Sequence, residues 1–448
     1  MGKFFFIGCG IVLFYGIVKS TGVRRLMWFF TGILFFQHRI PLLTFPTDMG
    51  FHRFMVFSLL IPELTHFKES IKEFRRFPLF YPLIVVFTGF LLIGLFDPRI
   101  NFFLQIYRPV DLYIQTFLVI YLTYHNFKEE EDWSALVKYF AVCSIILCLY
   151  GFYNFITKTN PYDNLISTSF NSFSSFDFYK NVFDERFRIN SFVDHPIYYG
   201  YLLGILFLLS LNAILDTTGR SRVIYLSSIV MTFLNLLMTN SRTPLISFSL
   251  GIVFFILMSL HLRLKIQIAL LAILFSAGIY TIPSVRDKIN NTIDIFQKGG
   301  SQVSGSSLKM REMQLQASFL LFEKKPISGN GLYYIEENLG YSSDEDKSLS
   351  SDDLQGFESY FYIIIIEQGI LGIILNCIFF GALIRYFFKR KSISVEYSGL
   401  GLAICIMFLT FSFGTGTLGS WIITMGILGI IMKKLQLILE SSNQVLQQ

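Results

Sequence analysis

The sequence predicts an all-α, polytopic membrane helix bundle of about 12–13 spans, because apolar runs of roughly span length recur from end to end. Three observations carry this. The chain of 448 residues is 53% hydrophobic and only 15% charged, where soluble domains carry about a quarter charged residues. Its mean hydropathy is +0.55. Short clusters of Lys and Arg separate most of the apolar runs. Lipid offers the backbone no hydrogen-bond partners, so such runs must close their own bonds as helices.

In chain order the runs place spans near 4–18, 26–36, 51–65, 77–96, 109–124 and 133–156. A second set follows near 195–213, 223–239, 243–260, 266–283, 357–384, 398–417 and 419–432. The first run follows Lys3 as a signal peptide's would, but no small-x-small cleavage pattern follows it, so an uncleaved span is expected. The first two runs are short for full crossings.

Orientation follows from basic residues in the short loops. Lys68-Glu69-Ser70-Ile71-Lys72-Glu73-Phe74-Arg75-Arg76, the stretch 385–391 and Lys433-Lys434 mark the cytoplasmic side. Arg220 with Arg222, and Arg263 with Lys265, share that parity, while the acidic stretch 129–132 counts little. The whole of 1–448 is thus one transmembrane domain with two larger outer segments, 157–194 and 284–356, the second between the tenth and eleventh spans. In it, an amphipathic helix is expected over 308–322, ended by Lys324-Lys325-Pro326. Gly329-Asn330-Gly331 makes a turn, and the acidic, Ser-rich stretch 342–353 is expected to be mobile.

The net charge of +6 sits largely in short loops and sets topology, which excludes a soluble nucleic-acid-binding groove. Cys9, Cys143, Cys148, Cys377 and Cys405 all fall in apolar runs, so neither a disulfide framework nor a zinc site is expected. The 51 Phe residues suit a lipid-facing surface and carry no functional signal.

Four outer-side clusters could carry chemistry. The first is Arg186-Phe187-Arg188-Ile189-Asn190-Ser191-Phe192-Val193-Asp194-His195-Pro196, and the second is Thr239-Asn240-Ser241-Arg242-Thr243-Pro244. The third is Arg311 followed by Pro326 and Gly329-Asn330-Gly331. The fourth runs from Glu358-Ser359-Tyr360 to Glu367-Gln368-Gly369-Ile370-Leu371-Gly372. Guanidinium groups match phosphate oxygens bidentately and keep their charge, so Arg188, Arg242 and Arg311 suit a diphosphate at the membrane surface. Each could equally anchor a helix end at the head groups. His195 could be a base, a phosphate hydrogen-bond donor or simply a helix-start residue before Pro196. Glu358 could be a carboxylate base or a residue stabilised at a helix N-terminus. Glu367 should face the bundle interior or a wet cavity, with Gly369 and Gly372 allowing close helix contact. No glycine-rich phosphate loop, His-Glu-x-x-His, Gly-x-Ser-x-Gly or Asp-x-Asp pattern competes.

Taken in order, these clusters resemble the O-antigen ligase and O-antigen polymerase superfamily of bacterial envelope enzymes. The pattern is an Arg-x-x-Ser/Gly-Phe segment before a Pro and a span, matched at 188–196, then Ser241-Arg242 between spans. An Arg at the start of an outer-loop helix ending in Pro-x-x-Gly-x-Gly is matched by Arg311 and 326–331. Glu-x-Gly-Ile/Leu-Leu-Gly is matched at 367–372. The resemblance implies a GT-C-like membrane bundle in the bacterial inner membrane that performs metal-independent, inverting glycosyl transfer on its periplasmic side, with no cofactor. It implies an undecaprenyl-diphosphate-linked glycan donor, a glycan acceptor, the lipid bilayer as surroundings and a chain-length regulator as a further partner. Arg188, Arg242 and Arg311 would bind the diphosphate, and Glu358 or His195 would be the base. Ligases carry His where the late loop re-enters the membrane, and Glu358 in that stretch favours a polymerase. A ligase acting on lipid A core or protein is the alternative. A transporter or flippase is the second alternative, although repeated halves and midplane polar residues are not evident.

Overall fold

The computed structural model describes residues 2–43, 49–170, 187–259, 307–338, 359–415 and 418–447. The first part of the chain forms α1 (Gly2–Lys19), α2 (Gly22–Phe35), α3 (Phe51–Thr65), α4 (Phe67–Arg76) and α5 (Phe80–Leu95). It continues with α6 (Phe102–Tyr113), a π-helical turn (Ile114–Leu118), α7 (Val119–Asn126), α8 (Asp132–Thr157) and α9 (Pro161–Phe170). The remainder forms α10 (Pro196–Asp216), α11 (Arg220–Met238), α12 (Arg242–Ser259), α13 (Ser307–Lys324) and α14 (Tyr334–Asn338), then α15 (Tyr360–Arg390), α16 (Val395–Gly414) and α17 (Leu418–Gln447). A short antiparallel pairing of β1 (Pro41–Leu43) with β2 (Met49–Gly50) joins α2 to α3.

Among the described residues eight helices are individually long and apolar enough to cross a membrane: α1, α8, α10, α11, α12, α15, α16 and α17. Taken as one span, α4 and α5, bent by 109°, make a ninth. The shorter runs 26–36 and 51–65 appear as α2 and α3, and the run 109–124 as α6, the π-helical turn and α7. The expected span at 266–283 lies outside the described residues. The chain is an all-α, multi-pass membrane bundle.

Aromatic packing joins the central helices. Buried Trp421 of α17 contacts Phe117 in the π-helical turn at 5.0 Å, Phe380 of α15 at 5.6 Å, Phe408 of α16 at 4.8 Å and Tyr360 at 5.1 Å. Each such pair adds about 0.5–1.5 kcal/mol beyond area burial. This hub sets the start of α15 against α17.

The two ends of the bundle differ in chemistry. At one, Arg25 Nη1 donates to Asn126 Oδ1 at 2.7 Å, Tyr121 to the Ser70 carbonyl at 2.9 Å, and Lys434 Nζ to Glu130 Oε1 at 2.8 Å. The segments expected on the cytoplasmic side therefore meet, and α17 continues past Lys433-Lys434 instead of stopping there. The described parts of the polar clusters singled out in the sequence lie at the other end, the first two joined by Asn240 to Phe187 and the last two backbone to backbone. Two local features differ from expectation. Residues 161–170, placed in the smaller loop, form α9. The expected amphipathic helix exists as α13, but Gln314 and Ser318 face inward while Leu315, Phe319 and Leu320 are exposed. The Ser318 hydroxyl is satisfied by the Gln314 carbonyl at 2.6 Å, which permits burial of this polar stripe.

Candidate functional site

The segment 187–195 is irregular, and side chains hold it in place. Asn160 donates to Asn190 Oδ1 and to the Ser191 carbonyl, both at 2.9 Å. Ser191 adopts a left-handed φ of 52° and donates to the Leu147 carbonyl at 2.7 Å. A non-glycine residue persists there because its surroundings fix it. The segment ends at His195, which caps α10: its Nδ1 accepts the Ile197 N–H at 3.1 Å, with Pro196 in the first turn. Of the readings open in the sequence, the helix-start role is present. Because Nδ1 accepts, the ring's hydrogen sits on Nε2, and neutral His195 presents a donor there.

Asp194, just before it, reaches across to the end of α2, where its Oδ2 lies 2.7 Å from His38 Nδ1. The neighbouring Arg39 pairs with buried Asp163 of α9, and Gln37 bridges them, accepting from Arg39 Nε at 2.7 Å and donating to Asp163 Oδ1 at 3.1 Å. Desolvation opposes charge on His38, but the adjacent Asp194 carboxylate outweighs it and raises the imidazole pKa. Burial likewise works against the Asp194 carboxylate, yet His38, then His195 and Arg39, hold it well below the usual range. His195 goes the other way. Burial dominates over Asp194, and with the charges of Arg188, His38 and Arg39 it brings the ring down to about 4. His195 is therefore neutral near pH 7.

Half-buried Arg188 belongs to this cluster through its charge on His195. Arg242 opens α12 and is exposed. Its turn is tied to the same segment, since Asn240 donates to the Phe187 carbonyl at 3.2 Å. The structure thus brings the first two clusters together. Arg311 lies in the first turns of α13, but its side chain is outside the described residues, as is all of Glu358.

The third and fourth clusters meet backbone to backbone. Gly369, with φ of 61°, breaks α15. The turn after Pro326 fills that break: Asn330 N–H donates to Ile366 O at 2.8 Å and Gly331 N–H to Glu367 O at 3.0 Å. In return Ile370 N–H donates to Pro326 O at 2.9 Å and Leu371 N–H to Ile327 O at 3.1 Å. Gly369 therefore admits the loop, not a neighbouring helix. A Cβ on Gly329 would strike the backbone of Glu367 and Gln368. Glu367 is 8% exposed and faces this interior, its Oε1 accepting the Ile335 N–H at 3.1 Å.

Several residues the sequence reading passed over complete this end. His38, Arg39, Gln37 and Asp163 build the first cluster. Arg53 of α3 pairs with buried Asp111 of α6. Arg99 and Arg108 hold Glu337 of α14, and stack over Tyr334 and Tyr333 at 5.0 and 5.5 Å. A signal for His38 existed: Gln37-His38-Arg39 is a polar triplet between two apolar runs, on the outer side by loop parity.

The family profile described as O-antigen ligase matches residues 227–377, about a third of the chain. The match takes in Arg242, Arg311, the turn at 326–331 and the break in α15, while Arg188 and His195 precede it. No curated protein matches the chain. The multi-pass helical bundle agrees with this match, which supports the O-antigen ligase and polymerase superfamily.

Proposed function

We propose that this protein is a polysaccharide polymerase that joins undecaprenyl-diphosphate-linked repeat units at the periplasmic face of the inner membrane, by metal-independent, inverting transfer. The observation that carries the reading is the meeting of Arg188, His195 and the Arg242 turn at one end of the bundle. An acceptor hydroxyl attacks the donor's anomeric carbon, and the lipid diphosphate departs with the bonding electrons. The arginines stabilise the charge that grows on the diphosphate as the bond breaks. Neutral His195, with hydrogen on Nε2, is better suited to donate to a phosphate oxygen than to act as base.

Replacing Arg188, Arg242 or Arg311 singly with Ala is expected to reduce polymer formation by about 10²-fold or more. Size-laddered envelope glycan would show single repeats persisting while long chains vanish. Normal chain length in all three variants would overturn the diphosphate role. A ligase reading is favoured by one observation, the description of the matching family as O-antigen ligase. A deletion strain separates the two. One repeat on the lipid core marks a polymerase, whereas lipid-linked polymer absent from the core marks a ligase.

A further inference from the structure

The two histidines beside the arginines differ in which ring nitrogen is engaged. The Asp194 carboxylate, with Oδ2 2.7 Å from His38 Nδ1, favours the hydrogen on that nitrogen by its charge and leaves a lone pair on Nε2. His195 is opposite, with its lone pair on Nδ1 spent on the Ile197 N–H. His38 also keeps 40% of its side chain exposed at the outer end, while its carboxylate partner is 12% exposed. Its backbone is fixed by the next residue, because Arg39 is held by Gln37 and fully buried Asp163. On its other side stands His52, whose ring centre is 6.1 Å away and whose Nε2 lies 2.7 Å from the Phe36 carbonyl. An exposed imidazole oriented from behind by a carboxylate, on a braced backbone, is the arrangement a general base requires.

We infer that His38, oriented by Asp194, is the base that takes the proton from the acceptor hydroxyl. The inference rests on the glycosyl-transfer reading above and gives that reaction its proton acceptor. As the acceptor oxygen bonds to the anomeric carbon, the bond from that carbon to the diphosphate oxygen breaks, and its electron pair leaves with the diphosphate. The hydroxyl proton passes to His38 Nε2, where Asp194 stabilises the imidazolium, and then to outer solvent. His195 donates to the departing diphosphate, so one histidine receives a proton where its neighbour offers a hydrogen bond. Asp194 is a positioning residue.

The test uses full-length protein in lipid nanodiscs, with undecaprenyl-diphosphate-linked repeats isolated from a strain lacking the protein. Initial rates are measured from pH 5.5 to 9. His38→Gln is expected to lower kcat by about 10²-fold or more, with KM changed less than about threefold. Asp194→Asn should retain a measurable rate and move the acid limb of the profile to lower pH, because His38 then loses its proton more readily. Arg39, His52 and His195, which also face His38, are unchanged in that variant. An Asp194→Asn profile with an unmoved acid limb overturns the assignment even if His38→Gln folds poorly. A normal kcat in His38→Gln beside a collapse in Glu358→Gln overturns it in favour of Glu358. Wild-type protein that forms no glycosidic bond between repeats overturns the polymerase reading, and the role of His38 with it.

Discussion

At the scale of single residues, the outer end couples three titrating groups whose effects on stability fall in different pH windows. His195 has a folded pKa of about 4, against about 6.5 unfolded. Between those values the unfolded chain binds more protons, so stability rises with pH across that window. The depressed Asp194 carboxyl contributes stability that is present above about 4 and lost as pH falls through its lower folded value. The raised pKa of His38 acts on the alkaline side. Its contribution is complete below about 6.5 and is lost as pH rises through the folded value. Thermal unfolding between pH 4 and 9 is therefore expected to show greatest stability near 6.5. His38→Gln should remove the alkaline decline. A profile that stays flat in the wild type would show that these groups are not linked to folding. Of this cluster, Arg188 and His195 were legible in the sequence because each stands at the end of an apolar run. His38 left only the polar triplet Gln37-His38-Arg39, and its pairing with Asp194, more than 150 residues away, is made by the packed bundle.

At the scale of elements, the late loop and α15 form one joint. Four backbone hydrogen bonds cross it, each contributing about 0.5–1.5 kcal/mol net. Both motifs were visible in the sequence, one as a turn and one as a Glu-Gln-Gly-Ile-Leu-Gly stretch. Their partnership was not, because peptide groups form it and residue type does not announce which peptide groups will pair. Gly329 and Gly219 make a controlled comparison. Both have positive φ, at 69° and 72°, but a Cβ on Gly219 would meet nothing within 4 Å. With ψ of −148° Gly219 sits in a region that essentially only glycine adopts, so Gly219→Ala should cost about 1–3 kcal/mol from backbone strain alone. Gly329→Ala adds overlap with the α15 backbone and should open the joint. Limited trypsinolysis after Lys324 would report it, with accelerated cleavage expected for Gly329→Ala alone.

For the molecule as a whole, the late loop is not a separate lid on the matching region. It is tied to the first half of the chain through Arg99 and Arg108 to Glu337, with Arg108 also over the Tyr333 ring. Asp111 is almost wholly buried, so its pairing with Arg53 cannot be exchanged for water. Arg53→Ala and Asp111→Ala should each destabilise the protein by about 3–5 kcal/mol, since either leaves an uncompensated buried charge. The double variant should lose less than the two together, and a double-mutant cycle on detergent-solubilised protein measures the difference. The multi-pass helical pattern was readable from hydropathy. The ties from Arg99 and Arg108 to the loop were not, because long-range ion pairs leave no periodic trace in sequence.

The break at Gly369 has a consequence for transport. A span interrupted within a membrane protein usually leaves two half-helices whose facing ends carry opposite partial charge, and transporters seat ions or carboxylates between them. Here both ends are already neutralised from within. The carbonyls of Ile366 and Glu367 accept from Asn330 and Gly331, and the amides of Ile370 and Leu371 donate to Pro326 and Ile327. An incoming ion would have to displace those four backbone hydrogen bonds before it met any dipole. The discontinuity gives up an ion seat and gains a helix joined to the loop through its own backbone.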